Sequence, residues 1–329
     1  MKRGKALGIL VLAASVILCG CGKAKGESKD TSGKEKKIKV VTSFYPMYDF
    51  ATKVAGDKAE VVNLVPAGTE PHDWEPTTSD LKELEEADVF VYNGAGMEEW
   101  AEDVLESLEN KKLVVVEASK GVELLKGEAH HHEEEGEHSG KEEDSTESET
   151  REEEEEHYDP HVWLNPLYAG MEMEQIKEGL IRADSANKSS YEENCSKYKE
   201  KLEQLDQTYK EALTNVSRRD LVTAHEAFGY LCQAYGLNQV GIEGLSPDSE
   251  PDLERMHEIV TFAKENHVTT IFFEELVSPK VAKTIAEELG AKTAVLNPVE
   301  GLTQEQMDAG EDYFSIMKTN LEELKKALQ

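Results

Sequence analysis

Ile38-Lys39-Val40-Val41-Thr42-Ser43, followed a helix-length later by Glu60-Val61-Val62-Asn63-Leu64-Val65, decides the fold of this chain. Both are short apolar runs rich in β-branched residues, the pattern of strands buried on both faces. Between them, residues 48–54 read as a helix. Strand, helix, strand in that order builds a parallel pair, because parallel strands need a crossover between them. Working outward, residues 88–92 and 113–117 read as further strands, and 78–86 and 97–109 as further helices. The alternation then recurs, with strands over 220–224, 239–242, 268–273 and 291–296 and helices over 223–235, 251–266 and 279–289. No sequence repeat accompanies the repeated architecture. The expected fold is α/β: two lobes, each with a mainly parallel sheet flanked by helices.

Residues 189–214 lie between the two halves. Tyr191, Tyr198, Leu202, Leu205, Tyr209 and Leu213 fall there at helical spacing, with no Gly or Pro. The spacing predicts one long rigid helix joining the lobes, roughly 40 Å from end to end at 1.5 Å per residue. The N-terminal lobe is then 38–188, and the C-terminal lobe with a final helix over 313–328 fills 215–329.

Residues 127–157 fit neither lobe. They hold fifteen acids, two bases and five histidines, namely His130, His131, His132, His138 and His157. With no aliphatic core residues, the segment cannot bury enough apolar surface to offset chain entropy, and disorder is expected. Histidines among carboxylates suit weak metal binding. The segment either collects cations near a tighter site or is a solvated acidic loop without a role. His157 belongs either to it or to the rim of the neighbouring lobe.

The first residues read as an address. Lys2, Arg3 and Lys5 precede an uncharged stretch over 6–18, too short for a bilayer span and suited to a signal peptide over 1–20. Leu18-Cys19-Gly20-Cys21 resembles a bacterial lipobox, with Cys21 the lipidated residue. A plain secretory signal with incidental cysteines is the alternative. Residues 21–37, rich in Lys, Gly, Ser and Glu, read as a flexible tether. The expected location is the outer face of the cytoplasmic membrane, held by a lipid. Across the whole chain of 329 residues, acids outnumber bases 68 to 36, for a formal net charge of −32. That balance argues against nucleic acid as a partner, which needs a basic footprint, and suits attraction of cations.

Three histidines outside the acidic segment carry the functional argument. His72 lies in Pro66-Ala67-Gly68-Thr69-Glu70-Pro71-His72-Asp73-Trp74-Glu75-Pro76, a stiff loop just after a strand, on the ligand-binding side of an open α/β sheet. His161 follows a proline in Tyr158-Asp159-Pro160-His161-Val162-Trp163. His225, in Thr223-Ala224-His225-Glu226-Ala227-Phe228-Gly229-Tyr230, is read as the last residue of a strand entering a helix. Converging imidazoles favour Zn²⁺, Cu²⁺ or Ni²⁺ over the oxygen-preferring Mg²⁺ and Ca²⁺. Zinc takes a fourth ligand, for which Asp or Glu is the expected source. Trp74, Trp163, Tyr45 and Phe228 either wall the cleft or simply pack beside these loops.

Val41-Thr42-Ser43-Phe44-Tyr45-Pro46, Pro71-His72-Asp73-Trp74-Glu75-Pro76-Thr77, Asp159-Pro160-His161-Val162-Trp163-Leu164 and His225-Glu226-Ala227-Phe228-Gly229-Tyr230 together resemble the substrate-binding lipoproteins of high-affinity zinc ABC importers. The resemblance covers essentially the whole mature chain. It implies Zn²⁺ as the transported ligand, held by His72, His161 and His225 with Glu300 fourth. Glu274, at the end of the preceding strand, is the alternative, and water is another. It implies an ABC permease and its ATPase as partners and a monomer that catalyses no reaction. Manganese relatives are similar but carry a carboxylate where this chain has His225, and a third imidazole favours zinc.

Other classes compete. Manganese or another divalent metal could be the cargo, and a surface adhesin or metal buffer is a further reading. An exported zinc hydrolase would keep an open coordination position. However, the chain has no His-Glu-x-x-His run and no Ser-centred nucleophile elbow. Cys195 and Cys232 could pair or remain free thiols.

Overall fold

The computed structural model describes residues 37–127, 157–247 and 251–329. The signal segment, Cys21, the tether, and His130, His131, His132 and His138 of the acidic segment lie outside the described residues. Among the described residues, no helix is long and apolar enough to cross a membrane.

Two four-stranded parallel sheets organise the chain. In the first, β1 (Ile38–Thr42), β2 (Ala59–Asn63), β3 (Val89–Tyr92) and β4 (Val114–Glu117) lie in the order β2-β1-β3-β4. In the second, β5 (Asp220–Thr223), β6 (Asn238–Gly241), β7 (Thr270–Phe273) and β8 (Lys292–Val295) repeat that order as β6-β5-β7-β8. Each sheet therefore reverses its winding once, beside β1 in the first and β5 in the second. Ligands of open α/β sheets bind at such switch points, outside the strands' carboxyl ends.

Helices cover the sheets. α1 (Tyr45–Ala55) starts three residues earlier than the sequence pattern suggested, with Pro46 in its first turn. Proline is at home there, since its missing N–H has no intrahelical partner to lose. α2 (Thr78–Glu85) opens on a capping box between Thr77 and Asp80. α3 (Ala101–Ser107) is shorter than the expected 97–109. α4 (Pro166–Ala183) was not foreseen at all. Its N-cap is Asn165, whose Oδ1 accepts from Leu167 N at 3.0 Å. Its apolar stripe is interrupted by Gly170, Gly179 and a fully buried Glu172, which hides the helical period.

The long helix is α5 (Lys188–Leu213), lying between the two lobes, and it buries Tyr191, Cys195, Leu202, Leu205, Tyr209 and Leu213 on one side. Tyr209 donates its hydroxyl to Met317 O at 2.5 Å, joining α5 to the terminal α10 (Tyr313–Leu328). The second sheet carries α6 (Gly229–Tyr235), α7 (Leu253–Glu265), α8 (Lys280–Leu289) and the short α9 (Gln304–Asp308).

One large apolar cluster runs through both halves. It takes in Val40 and Phe50 of the first lobe, Tyr191 and Tyr209 of α5, and Phe272, Leu296 and Leu324 of the second. Each such side chain contributes about 1.5–3 kcal/mol by leaving water. Separating the lobes completely would expose this shared core, so the fold favours small tilts over a wide hinge. Cys195 and Cys232 are both free and buried.

Candidate metal centre

Local chemistry positions each histidine before any tertiary contact does. Glu70-Pro71-His72 and Asp159-Pro160-His161 share one device, in which the acid's Oε1 or Oδ1 accepts the backbone N–H of the histidine two residues on, at 3.0 and 2.9 Å. Proline enforces an extended residue before it, and a short acidic side chain there reaches the N–H at i+2. Asn297-Pro298-Val299 repeats the device, with Asn297 Oδ1 accepting from Val299 N at 2.7 Å. Val299, the residue before Glu300, has φ 63 and is fully buried. A β-branched residue in that region is strained, and the surrounding packing must hold it there.

His225 departs from its expected setting. β5 ends at Thr223 and α6 begins only at Gly229, so residues 224–228 form a loop instead of the first turn of a helix. Their backbone groups are claimed by neighbours: Ala224 N donates to Phe272 O at 2.9 Å and Glu226 N to Gly244 O at 3.0 Å. Thr223 Oγ1 and Gln239 Nε2 both donate to His225 O, at 2.6 and 3.2 Å. These longer-range bonds outcompete the helical i to i+4 ladder.

Four candidates follow strands: His72 after β2, His225 after β5, Glu274 after β7 and Glu300 after β8. The His161 loop meets the carboxyl end of β3, where Asn93 Nδ2 donates to Pro160 O at 3.0 Å. The structure brings together one donor atom from each of His72, His161, His225 and Glu300, all within 4.8 Å of one another. The ring centroids are 4.8 to 5.3 Å apart. Glu300 Oε1 lies 3.0 Å from His161 Nε2, 3.6 Å from His72 Nε2 and 3.9 Å from His225 Nδ1. Glu274 Oε1 lies 3.0 Å from His225 Nδ1 and is absent from the four-donor group. His161 and His225 are fully buried, Glu300 is 1% exposed and Glu274 4%.

Hydrogen bonds select which ring nitrogen faces the centre. His161 Nδ1 bonds Asp159 Oδ1 at 2.7 Å, which leaves Nε2 inward. His225 Nε2 bonds Leu245 O at 2.7 Å, which leaves Nδ1 inward. A partner on the outer nitrogen fixes tautomer and ring orientation and raises ligand basicity. Among the described residues, His225 Nδ1 and both oxygens of Glu300 and Glu274 have no hydrogen-bond partner despite their short separations. Donors that converge yet do not satisfy one another suit a common cation, since leaving buried polar atoms unpaired is costly. Three imidazoles and one carboxylate match the zinc donor set.

The charges are tightly linked. Burial opposes a charge on His225, but Glu274 and Glu300 outweigh it and raise it to about 10. Burial likewise opposes a charge on His161, and Asp159 and Glu300 win, raising it. His72 is lowered by burial. Glu300 resists its burial and stays well below the ordinary carboxylate range because His225, His161 and His72 face it. Burial raises Glu274, and it pushes Glu70 up to about 8 with help from Glu300.

The aromatic residues divide between two roles. Trp163 packs edge-on to His161 and donates Nε1–H to Pro298 O at 2.7 Å, tying the His161 loop to the Glu300 loop. Trp74 packs against Trp100 instead. Asp159 and Leu245 O were not singled out from sequence. The acid-Pro-His pattern was the available signal for the first, and nothing local marks the second.

A family model described as zinc-uptake complex component A, periplasmic (ZnuA) matches residues 40–327. The chain is 44% identical over 324 residues to the high-affinity zinc uptake system protein ZnuA of Bacillus subtilis (strain 168), covering 98% of this chain and 97% of that protein. It is 43% identical over 291 residues to the zinc-binding protein AdcA of Streptococcus pyogenes serotype M1, spanning 88% of this chain but only 56% of that relative's length. Among solved structures, the Zn(II)-bound ZnuA-like domain of Streptococcus pneumoniae AdcA matches with TM-score 0.72 and 40% identity, covering 89% of this chain and 99% of that one. The chain belongs to the family of the periplasmic zinc-uptake complex component A.

Proposed function

We propose that this chain captures Zn²⁺ outside the cytoplasm and delivers it to an ABC permease driven by its ATPase. His72, His161, His225 and Glu300 are the ligands, and the carrying observation is their convergence within 4.8 Å. The first lobe supplies His72 and His161, the second His225 and Glu300, so a bound ion ties the lobes together. The shared core limits the accompanying motion to a tilt, and the permease reads the loaded shape. Four protein donors leave no open position for a reacting water, which supports a binding role over hydrolysis. At the imidazole centre Glu274 acts as charge partner to His225 rather than as a ligand.

Residues 1–20 are a signal peptide, Cys21 carries the lipid, and residues 21–37 form the tether. His130, His131, His132 and His138 bind Zn²⁺ loosely as an accessory metal loop. The lipid-free mature chain, a variant lacking 128–156 and His225→Ala are titrated with Zn²⁺ and Mn²⁺ against a chelator at neutral pH. The expected result is one tight zinc site that survives the deletion and weakens at least tenfold in His225→Ala. Tight binding that disappears with the deletion overturns the proposal and points to a surface metal buffer.

A further inference from the structure

Glu300 faces two groups of donors at once. Beside the imidazoles, one oxygen from each of Glu70, Glu274 and Glu300 forms a second cluster, again within 4.8 Å of one another. Oxygens sharing one divalent cation sit about 2.0–2.6 Å from it, so they are at most roughly 5 Å apart. The spacing therefore admits one ion. Among the described residues, five of their six oxygens have no hydrogen-bond partner. Glu274 is 4% exposed and Glu300 1%, and among the described residues neither oxygen of either has a hydrogen-bond partner. Glu70 Oε1 accepts from His72 N at 3.0 Å, while its buried Oε2 has no partner. His225 Nδ1 approaches Glu274 Oε1 at 3.0 Å without closing a hydrogen bond, which leaves Oε2 unserved.

The surroundings set a direction. A small pocket is lined by Glu70, Glu274, Glu275, Asn297, Glu300 and Gly301 among others, and none of the three histidines lines it. The carboxylates line this pocket, and Glu300 belongs both to it and to the imidazole cluster. Oxygen-only donors suit hard, strongly hydrated cations and discriminate little among them, whereas imidazoles select zinc.

We propose that Glu70, Glu274 and Glu300 form a second, all-oxygen cation position on the pocket side of the imidazole centre. An arriving divalent cation exchanges water for carboxylate there, and Glu300, common to both clusters, passes it to His72, His161 and His225. The hand-over rests on the zinc-capture reading; the oxygen position rests only on the carboxylates.

The probe is Mn²⁺ alone, read by electron paramagnetic resonance on the full chain carrying His72→Ala. The expected result is a bound Mn²⁺ without the ¹⁴N couplings of a directly ligated imidazole, weakened at least tenfold when Glu70→Gln or Glu274→Gln is added. In the otherwise unaltered chain, Glu70→Gln slows Zn²⁺ association at least tenfold by stopped flow, and Glu70→Asp restores it. Circular dichroism verifies that each variant is folded. Imidazole couplings on Mn²⁺, or Mn²⁺ affinity and Zn²⁺ association indifferent to Glu70→Gln, overturn the oxygen position. An unaltered chain with no tight Zn²⁺ site overturns the hand-over together with the capture reading, while the Mn²⁺ titration still decides the oxygen position.

Discussion

Loading the centre with Zn²⁺ is expected to expel protons, and Glu274 sets how many. His225 Nε2 is engaged with Leu245 O, so the ring's second proton sits on Nδ1, facing Glu274 Oε1 at 3.0 Å. Burial works against that proton, but Glu274 and Glu300 hold it to about pH 10. At pH 7.5 such a group is more than ~99% protonated, so zinc displaces about one proton from it. His161, raised by Asp159 and Glu300, acts in the same direction, and His72, lowered by burial, in the opposite one. The total expected is at least about one proton per zinc. The sign follows from the direction of the His225 shift. A raised pKa keeps the proton in place below about 10, so zinc competes with it over the whole range beneath that value. Apparent zinc affinity rises about tenfold per pH unit for one displaced proton and flattens above that pKa. Calorimetric titrations in buffers of differing ionisation enthalpy give the proton count directly. Glu274→Gln removes the larger of the two charges holding the proton, and the count should fall. A count of zero in the unaltered chain, or one unmoved by Glu274→Gln, refutes the assignment of His225 as the proton-bearing ligand.

Two further outcomes follow from contacts around the centre. Asp159→Asn removes the carboxylate that accepts from both His161 Nδ1 and His161 N, at 2.7 and 2.9 Å. Zinc affinity measured by chelator competition should drop about 10–100-fold, the usual cost of losing the partner of a metal-bound histidine. Trp163→Phe deletes the 2.7 Å bond from Nε1–H to Pro298 O and should destabilise the metal-free protein by about 1–3 kcal/mol in thermal melts. An unchanged melting temperature would show that this bond does not tie the two loops.

The inner strands β1, β3, β5 and β7 were legible because they are largely buried, so their composition announces them without context. Residues 38–42 and 270–273 needed no alternation to be recognised. α4 was illegible for the opposite reason. Gly170, Gly179 and the buried Glu172 occupy its inward face, where a periodicity argument expects apolar residues. The helix after β5 begins later than its composition suggests, because Ala224 and Glu226 give their N–H groups to Phe272 and Gly244.

The amino-acid sequence by itself determined the repeated strand-helix alternation, the long α5, and the stiff loops bearing His72 and His161. These depend on a few neighbouring residues: β-branching, helical spacing, and a proline between an acid and a histidine. The choice between Glu300 and Glu274 came from family resemblance, not from anything local. Only the tertiary structure decided that four donors meet, that His161 turns Nε2 inward and His225 Nδ1, and that Glu300 stands within reach of all three rings. Each of these depends on contacts between segments far apart in the chain, such as Trp163 with Pro298 and His225 with Leu245. A loop's stiffness is a local property. The point in space at which several loops converge is set by how two sheets pack on one shared core, and no short stretch of sequence contains that information.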